Sequence, residues 1–505
     1  MWKLSSSQVR SRCRSLVSFI SGFTLRSSTI HPEENHFEIA VIGAGLSGLS
    51  AALRLAMFGK KVLILEKHYV VGGLNSFYAR KGRKFDVGLH AVTNFPSPSS
   101  GKTSPLLRAC RQLRLPFDSL NLHQQSSSRI SFAEKHIRFN NDFSFFLSEI
   151  EQNFPKEKDR FQVFLKKMED FDAYSINVPN LSTRSILKEA FSDPLLGEML
   201  LCPTSYYGSA QENDIDFATF TMLFDAIFKQ GLARPSSGIR AFLDPLVQKL
   251  DEFGVKRLMN NGVKKIKSDK NQATEIIMDN ETVFTADQII STCGVVETEE
   301  LLGMTDARSK DSKVGNFSII ETISVFKGKP KDFGWDETVI FYNDSKEFRY
   351  EKPTGPMDSS SGVICLPENY QDPDNQKVNE SRLRITNPAN FEKWTALEEA
   401  SYISEKENSE RIMLEKALDY LPKGQLQKTN FSDATLLKDT FTPRTIKKYT
   451  NHKNGALYGS PVKSRSGSSP IKNLYLAGTD QGYIGIVGAM LGGIAVANNR
   501  ILKPS

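Results

Sequence analysis

Phe37 to Ile42 form a short apolar run, the kind of segment that a parallel strand covered on both faces requires. Behind it the period lengthens: Leu49, Ala52, Leu53 and Ala56 recur at helical spacing between Leu46 and Phe58, and Gly59 ends the helix. Lys61 to Leu65 then predict a second strand. Residues 100–235 are dense in Phe and Leu, as in Phe143–Ile150 and Asp216–Phe228, set between charged helical stretches such as Glu157–Asp170. There Phe217, Phe220, Leu223, Phe224 and Ile227 put an aromatic stripe on one helix face; packing against a core is the simpler reading, and the lining of an apolar tunnel the other. Arg240–Phe253 reads as a helix, and Val255–Leu258, Val263–Ile266 and Phe284–Thr292 as strands. From about 297 to 450 the pattern is mixed. Phe317–Phe326 is strand-like and Thr395–Tyr420 helical, while Asn375–Arg384 reads as a solvated loop or a disordered insertion. Asn473–Gly478 is an apolar strand ending in glycine, followed by a glycine-rich helix from Gly485 to Ile501.

Between the first strand and its helix stands Gly43-Ala44-Gly45-Leu46-Ser47-Gly48, a G-x-G-x-x-G turn. Gly43 can take a backbone conformation closed to other residues, Gly45 lets a pyrophosphate approach the main chain, and Gly48 lets the helix pack close to the sheet. The amides of Leu46 and Ser47 face the phosphates at the helix N-terminus. Glu66 ends the second strand about twenty residues on, where a carboxylate accepts both ribose hydroxyls and repels a 2′-phosphate. Strand, turn, helix, strand and acid together predict an adenine dinucleotide.

With 505 residues, 39% of them hydrophobic, the chain is long enough for two or three domains. Its net charge is +7, but Lys3, Arg10, Arg12, Arg14 and Arg26 supply five of those charges, so a basic body that grips nucleic acid is not supported. Residues 1–34 are set aside as a leader. The first thirty are rich in Ser and Arg and lack acids, which suits an organelle-import presequence or an unstructured extension. Without import the protein is cytoplasmic. No uninterrupted apolar run reaches the ~18 residues of a spanning helix, which leaves peripheral membrane attachment open. Cys13, Cys110, Cys202, Cys293 and Cys365 are scattered, and neither they nor the seven histidines show ligand spacing, so no metal site and no disulfide framework is expected.

After Glu66, the stretch EKHYVVGGLNSFYARKGRKFDVGLH carries a glycine pair, Gly72-Gly73, and then Phe85-Asp86-Val87-Gly88 with His90. It resembles the flavoprotein family of phytoene desaturases, carotenoid isomerases and retinol saturases. The resemblance implies FAD, with Glu66 and Lys67 as the acid-lysine pair, Gly72, Gly73 and Leu74 beside the flavin, and Val263 meeting adenine through its backbone. It also implies that Gly478 and Asp480 hold the pyrophosphate and ribityl side, although Asp480 stands one place later than usual. Gly485, Ile486 and Val487 would then open a helix whose N-terminus stabilises negative charge on the flavin. Thr442–Thr445 and Gly455–Gly459, with Tyr458, resemble segments near flavin and substrate. Leu74-Asn75 stands where related amine oxidases carry arginine, which lowers the case for an amine oxidase.

The expected architecture is α/β, a discontinuous Rossmann-like FAD-binding domain with a doubly wound parallel sheet (35–100, 235–296 and 455–505). Inserted into it is an α+β substrate-binding domain (101–234 and 297–454). The expected reaction is hydride exchange between flavin N5 and an apolar polyene or isoprenoid, giving desaturation, saturation or cis/trans isomerisation. His90 is the candidate for proton transfer, with a satisfied structural histidine as the alternative. The rivals are an amine oxidase of the same fold, a prenyl-protein escort of the GDP-dissociation-inhibitor type, and an NAD-only dehydrogenase.

Overall fold

A computed structural model describes residues 27–28, 34–96, 104–304, 313–374, 379–423 and 431–503. Its centre on the nucleotide side is a parallel array in the order Lys256–Leu258, Val62–Leu65, His36–Ile42, Val283–Ser291, Leu474–Leu476. Five strands thus come from three distant stretches of chain. Ile39, Val41 and Ile64 point to one face, where the helices Leu46–Ala56, Arg240–Glu252 and Gly485–Val496 cover them. Ala40, Ile42, Leu63 and Leu65 point to the other. Alternate residues of one strand serve two cores, which is why these runs are apolar without a polar phase. Val263–Asp269 and Gln272–Met278 extend the sheet as an antiparallel meander.

Within the stretch read as a leader, Ser27 and Ser28 line the outer edge of this sheet. Ser28 N donates to Arg257 O at 2.7 Å and Met259 N donates to Ser27 Oγ at 2.9 Å, so the edge strand's backbone groups are satisfied. Residues 1–26 and 29–33 of the leader lie outside the described residues.

The second, seven-stranded sheet runs in the order Thr435–Phe441, Ser318–Lys327, Glu380–Ala389, Ser361–Cys365, Val339–Asn343, Ser128–Phe132, Lys135–Phe139. Only the Val339–Asn343 and Ser128–Phe132 pair is parallel. One face carries the helical layer Phe143–Asn153, Lys158–Asp170, Pro194–Gly208 and Phe217–Phe224, the last running on as a wider turn, Asp225–Lys229. Phe217, Phe220, Leu223, Phe224 and Ile227 are all buried in that layer among Phe139, Phe146, Phe161 and Phe164. Their stripe is core, not tunnel lining.

The reading of Asn375–Arg384 as solvated is overturned for its second half. Residues 380–384 begin Glu380–Ala389, which lies between two strands of the sheet, and Arg384 is 2% exposed. Residues 375–378 lie outside the described residues. The arginines of this stretch are paired: Arg382 with Glu368, and Arg384 with Glu321.

The helix Gly485–Val496 continues to Leu502, and by length and composition these eighteen residues suffice to cross a membrane. In this fold the helix packs on Leu46–Ala56, so closely that a Cβ at Gly493 would stand 2.0 Å from Ser47 O. Its apolar side chains Ile486, Val487, Met490 and Ile494 join the nucleotide-side core.

Candidate active site

The glycine turn has the geometry its sequence demands. Gly43 has φ 103°, and a Cβ there would meet Thr292 Oγ1 at 2.4 Å; at Gly48 a Cβ would lie 2.1 Å from Gly43 O. Gly45 has open space on that side. Gly72 N donates to Ala44 O at 2.8 Å, and a Cβ on Gly73 would stand 3.4 Å from Gly45 Cα. The second glycine pair therefore folds back onto the first, with Leu74 in the short turn Gly73–Asn75. Gly88 closes against it, since a Cβ there would lie 2.5 Å from Leu74 O.

Glu66 reaches back to the turn: its Oε2 accepts from Ala44 N at 2.6 Å and its Oε1 from His68 N at 2.7 Å. Burial raises its carboxyl above the usual range despite these amides. Each oxygen keeps a second lone pair for a ribose hydroxyl. Asn261 N donates to Glu66 O at 3.1 Å, Lys67 packs over Gly262, and Val263 begins the adjoining strand. Lys67, Glu66 and Val263 are thus neighbours at one end of the site.

At the other end Gly478, with φ 112°, follows Leu474–Leu476, and a Cβ on it would stand 4.0 Å from Ser47 Oγ. That Ser47 hydroxyl is buried without a hydrogen-bond partner, as is Asn261 Nδ2 near Glu66. Orphaned polar atoms at both ends of a glycine-lined cradle are what a bound dinucleotide would satisfy, so the residues fit FAD. Asp480, expected to hold the pyrophosphate and ribityl side, also ties neighbouring loops: its oxygens accept from Val295 N at 2.6 Å and Ser460 N at 2.8 Å, with Lys463 Nζ at 3.7 Å. It joins the Val295 segment and the Ser460–Lys463 loop beside the cradle. Gly485 has φ 75° and opens the helix that carries Ile486 and Val487, both buried. Ile484, just before it, packs against Gly208, where a Cβ would be 2.8 Å away.

His90 does not point into free space. Its Nε2 lies 3.1 Å from Glu321 Oε2, and Arg384 Nε donates to the other oxygen of Glu321 at 2.7 Å. Arg384 also donates to Leu89 O at 3.0 Å and to Val87 O, while Arg234 binds Asp86 and Leu89 O. Two arginines from distant strands therefore hold the Asp86–His90 backbone. Glu321 and Arg384 escaped the sequence reading, although a lone acid in the apolar run Ile319–Ile323 and the alternation Arg382-Leu383-Arg384-Ile385 were signals of a buried pair.

Burial lowers the pKa of His90 below its ordinary 6.5, with Glu321 opposing. Burial would raise the Glu321 carboxyl, but Arg384 and His90 together hold it below the usual range. Both shifts make the unfolded chain bind more protons on acidification. The stability these groups contribute is complete above about pH 6.5 and is lost as pH falls, first as the unfolded-state histidine protonates and then below the ordinary carboxylate pKa of about 4.3. Urea midpoints measured from pH 8 to pH 4 should show the first of these losses in the wild type and not in His90→Gln. Coincident profiles would refute the assignment.

Beyond His90 the wall is aromatic. Tyr370 OH donates to His90 O at 3.1 Å, Cys365 Sγ lies 3.8 Å from the same oxygen, and Tyr207 packs against Phe341 with its hydroxyl buried and unpartnered. Tyr458 OH donates to Tyr206 O. Burial raises the pKa of every one of these phenols, so they are neutral at physiological pH. Among the described residues no group of three or more His, Cys, Asp or Glu side chains could hold a metal.

Residues 46–500 match the family described as flavin containing amine oxidoreductase. Among curated proteins the chain is 23% identical to prolycopene isomerase 2 of an Oncidium hybrid cultivar, over 92% of this chain and 83% of that one. It is 22% identical to the inactive all-trans-retinol 13,14-reductase of Danio rerio, over 92% and 85%. Among solved structures, an oxidoreductase from Methanosarcina mazei superposes with a TM-score of 0.63 at 17% identity, covering 91% of this chain and all of that one. With the glycine cradle, the second glycine pair and a match over nearly the whole chain, the protein belongs to the flavin containing amine oxidoreductase family and is an FAD-dependent oxidoreductase.

Proposed function

We propose that the protein acts on carbon–carbon double bonds of an apolar polyene or isoprenoid, by desaturation, saturation or cis/trans isomerisation. One observation carries the reading: the wall leading from His90 to Ile484 consists of neutral phenols and apolar side chains, and its charged groups are spent on one another. Such a surface offers a long hydrocarbon apolar contact and excludes water, and among the described residues His90, Glu321 and Arg384 face one another rather than a substrate. The relatives named for prolycopene and retinol support the same direction.

In this reading Gly43, Gly45, Leu46, Ser47 and Gly48 take the diphosphate, and Glu66, Lys67 and Val263 the adenosine. Gly72, Gly73, Leu74, Gly478, Gly485, Ile486 and Val487 line the flavin, with Asp480 fixing the loops around it. Bound FAD supplies hydride exchange. Residues 35–100, 235–296 and 455–505 form the cofactor half, and 101–234 with 297–454 the substrate half. The hydrogen bond from His90 to Glu321 favours a holding role for the imidazole over proton transfer.

The test is anaerobic incubation of the flavin-loaded protein, oxidised and photoreduced in turn, with carotenoids and retinoids, followed by chromatography and flavin spectra. New polyene isomers, or products two hydrogens heavier or lighter, are expected. No change with any polyene, together with rapid bleaching by a primary amine, would replace the reading with the amine oxidase that the family description favours. Unchanged turnover in His90→Ala would leave that ring no part in proton transfer.

A further inference from the structure

The cradle assigned to the diphosphate is short of positive charge. Its turns, 43–48, 72–75 and 478–482, contain no lysine or arginine, and the last of them adds an acid, Asp480. Leu74-Asn75 stands where related amine oxidases carry arginine. Lys463 is committed to Asp480, at 3.7 Å, and donates to Tyr458 O at 2.6 Å. Backbone amides and the N-terminus of Leu46–Ala56 meet a phosphate with partial charges only, and a doubly anionic group taken out of water costs free energy unless a full cation stands near it.

The helix Pro443–Thr450, from the substrate half, brings one. Arg444 at its start ties it to that half by donating to Trp394 O at 2.7 Å. Farther along it meets the cofactor half: it packs beside the turn Gly73–Asn75, and the Tyr449 ring stands edge-on to His68 at 5.1 Å. His68 follows Glu66 and Lys67 directly, and its Nε2 is buried without a partner. The charges that face Lys447 are Lys67, Glu297 and Glu300 of the helix Val295–Leu301, and Lys453. Both acids are already engaged by Lys453, whose Nζ donates to Glu300 at 2.7 Å and whose N donates to Glu297 at 2.7 Å. Among the described residues Lys447 Nζ donates to one acceptor, Asn451 O at 2.9 Å, and pairs with no carboxylate. Burial lowers the pKa of this ammonium below the ordinary lysine value; Glu297 and Glu300 oppose the fall, and Lys67 and Lys453 add to it. A lysine so placed is stabilised by an anion brought to it.

We propose that Lys447 is a cofactor-binding residue, the cation that the substrate half supplies to the diphosphate of FAD. Asn451 O takes one of its three protons, which leaves the others for phosphate oxygens. FAD is then gripped by both halves of the chain rather than by the cofactor half alone. This rests on the placing of the diphosphate at Gly43–Gly48 and not on the polyene.

Deflavinated full-length protein is titrated with FAD at low and high salt, followed by flavin fluorescence. Lys447→Gln keeps a donor for Asn451 O and loses the charge. It should bind FAD about tenfold more weakly at low salt, the lower end for a hydrogen bond to a charged group at a half-exposed site, and the deficit should shrink in about 1 M sodium chloride. Lys447→Arg should bind as wild type does. Lys448→Gln, at the exposed neighbour whose ammonium lies over the Tyr449 ring, should change nothing. Unfolding midpoints of the deflavinated variants should match wild type. Independently, FAD should protect Lys447 but not Lys448 from acetylation by acetic anhydride, read by mass spectrometry. The proposal is overturned if Lys447→Gln binds FAD as wild type does, if its deficit is insensitive to salt or persists in Lys447→Arg, or if FAD gives no protection. A lowered midpoint for deflavinated Lys447→Gln would assign the lysine to capping its own helix and likewise overturn it. Wild type that takes no FAD would sink the cofactor reading itself, whereas unchanged affinity in Lys447→Gln sinks the lysine's part alone.

Discussion

Arg384→Leu is expected to lower the unfolding free energy by about 3–5 kcal/mol, the cost of leaving a buried carboxylate without its partner. Glu321 is 4% exposed and Arg384 2%, and the pair is closed on one side by His90 and on the other by the carbonyls of Val87 and Leu89. Removing the guanidinium leaves Glu321 charged beside an imidazole that burial keeps neutral, so the protein must either protonate the acid or admit water. The double variant Arg384→Leu, Glu321→Leu should regain much of the loss, because two apolar side chains need no partner. Urea unfolding of both variants reads the difference. A single variant within about 1 kcal/mol of wild type would mean that Glu321 finds another donor.

Gly48→Ala is expected to weaken FAD binding about 5- to 150-fold, the range that an overpacking cost of about 1–3 kcal/mol implies. The added Cβ would stand 2.1 Å from Gly43 O and 3.3 Å from Val41 Cγ1, so the helix must move off the strand that carries the turn. Gly45→Ala is the contrasting change, since a Cβ there meets no protein atom. Any loss it causes comes from the nucleotide itself. Titration of deflavinated protein with FAD, followed by flavin fluorescence, separates the two. Equal affinity for Gly48→Ala and wild type would show that helix and strand separate at no cost.

Local sequence carried the nucleotide half because its constraints are local. G-x-G-x-x-G, the strand before it and Glu66 lie within thirty residues, and each glycine answers a contact inside that span, Gly48 against Gly43 being the plainest. The Gly72-Gly73 pair and the segments at Val263 and Gly478 were legible only through a family likeness. The partners of the last two, Lys67 and Ser47, are about two hundred and more than four hundred residues away in sequence. The aromatic stripe from Phe217 to Ile227 was correctly weighed toward core, because helical spacing reports a buried face whatever covers it. What failed was Arg384: polarity near a loop outweighed the alternation of the strand, and only the fold brings Glu321 across to neutralise it. The contacts of Asp480 with Val295 and Ser460 were likewise invisible in the sequence, since they join segments that no local pattern connects.

The strand His36–Ile42 lies between Val62–Leu65 and Val283–Ser291, so one of its two neighbours is made more than two hundred residues after it. On the ribosome the early apolar pair emerges with a bare hydrogen-bonding edge and waits while the whole helical layer is synthesised. That interval is a window for wrong pairing between nascent chains, a hazard of non-local strand pairing that mature stability does not reveal.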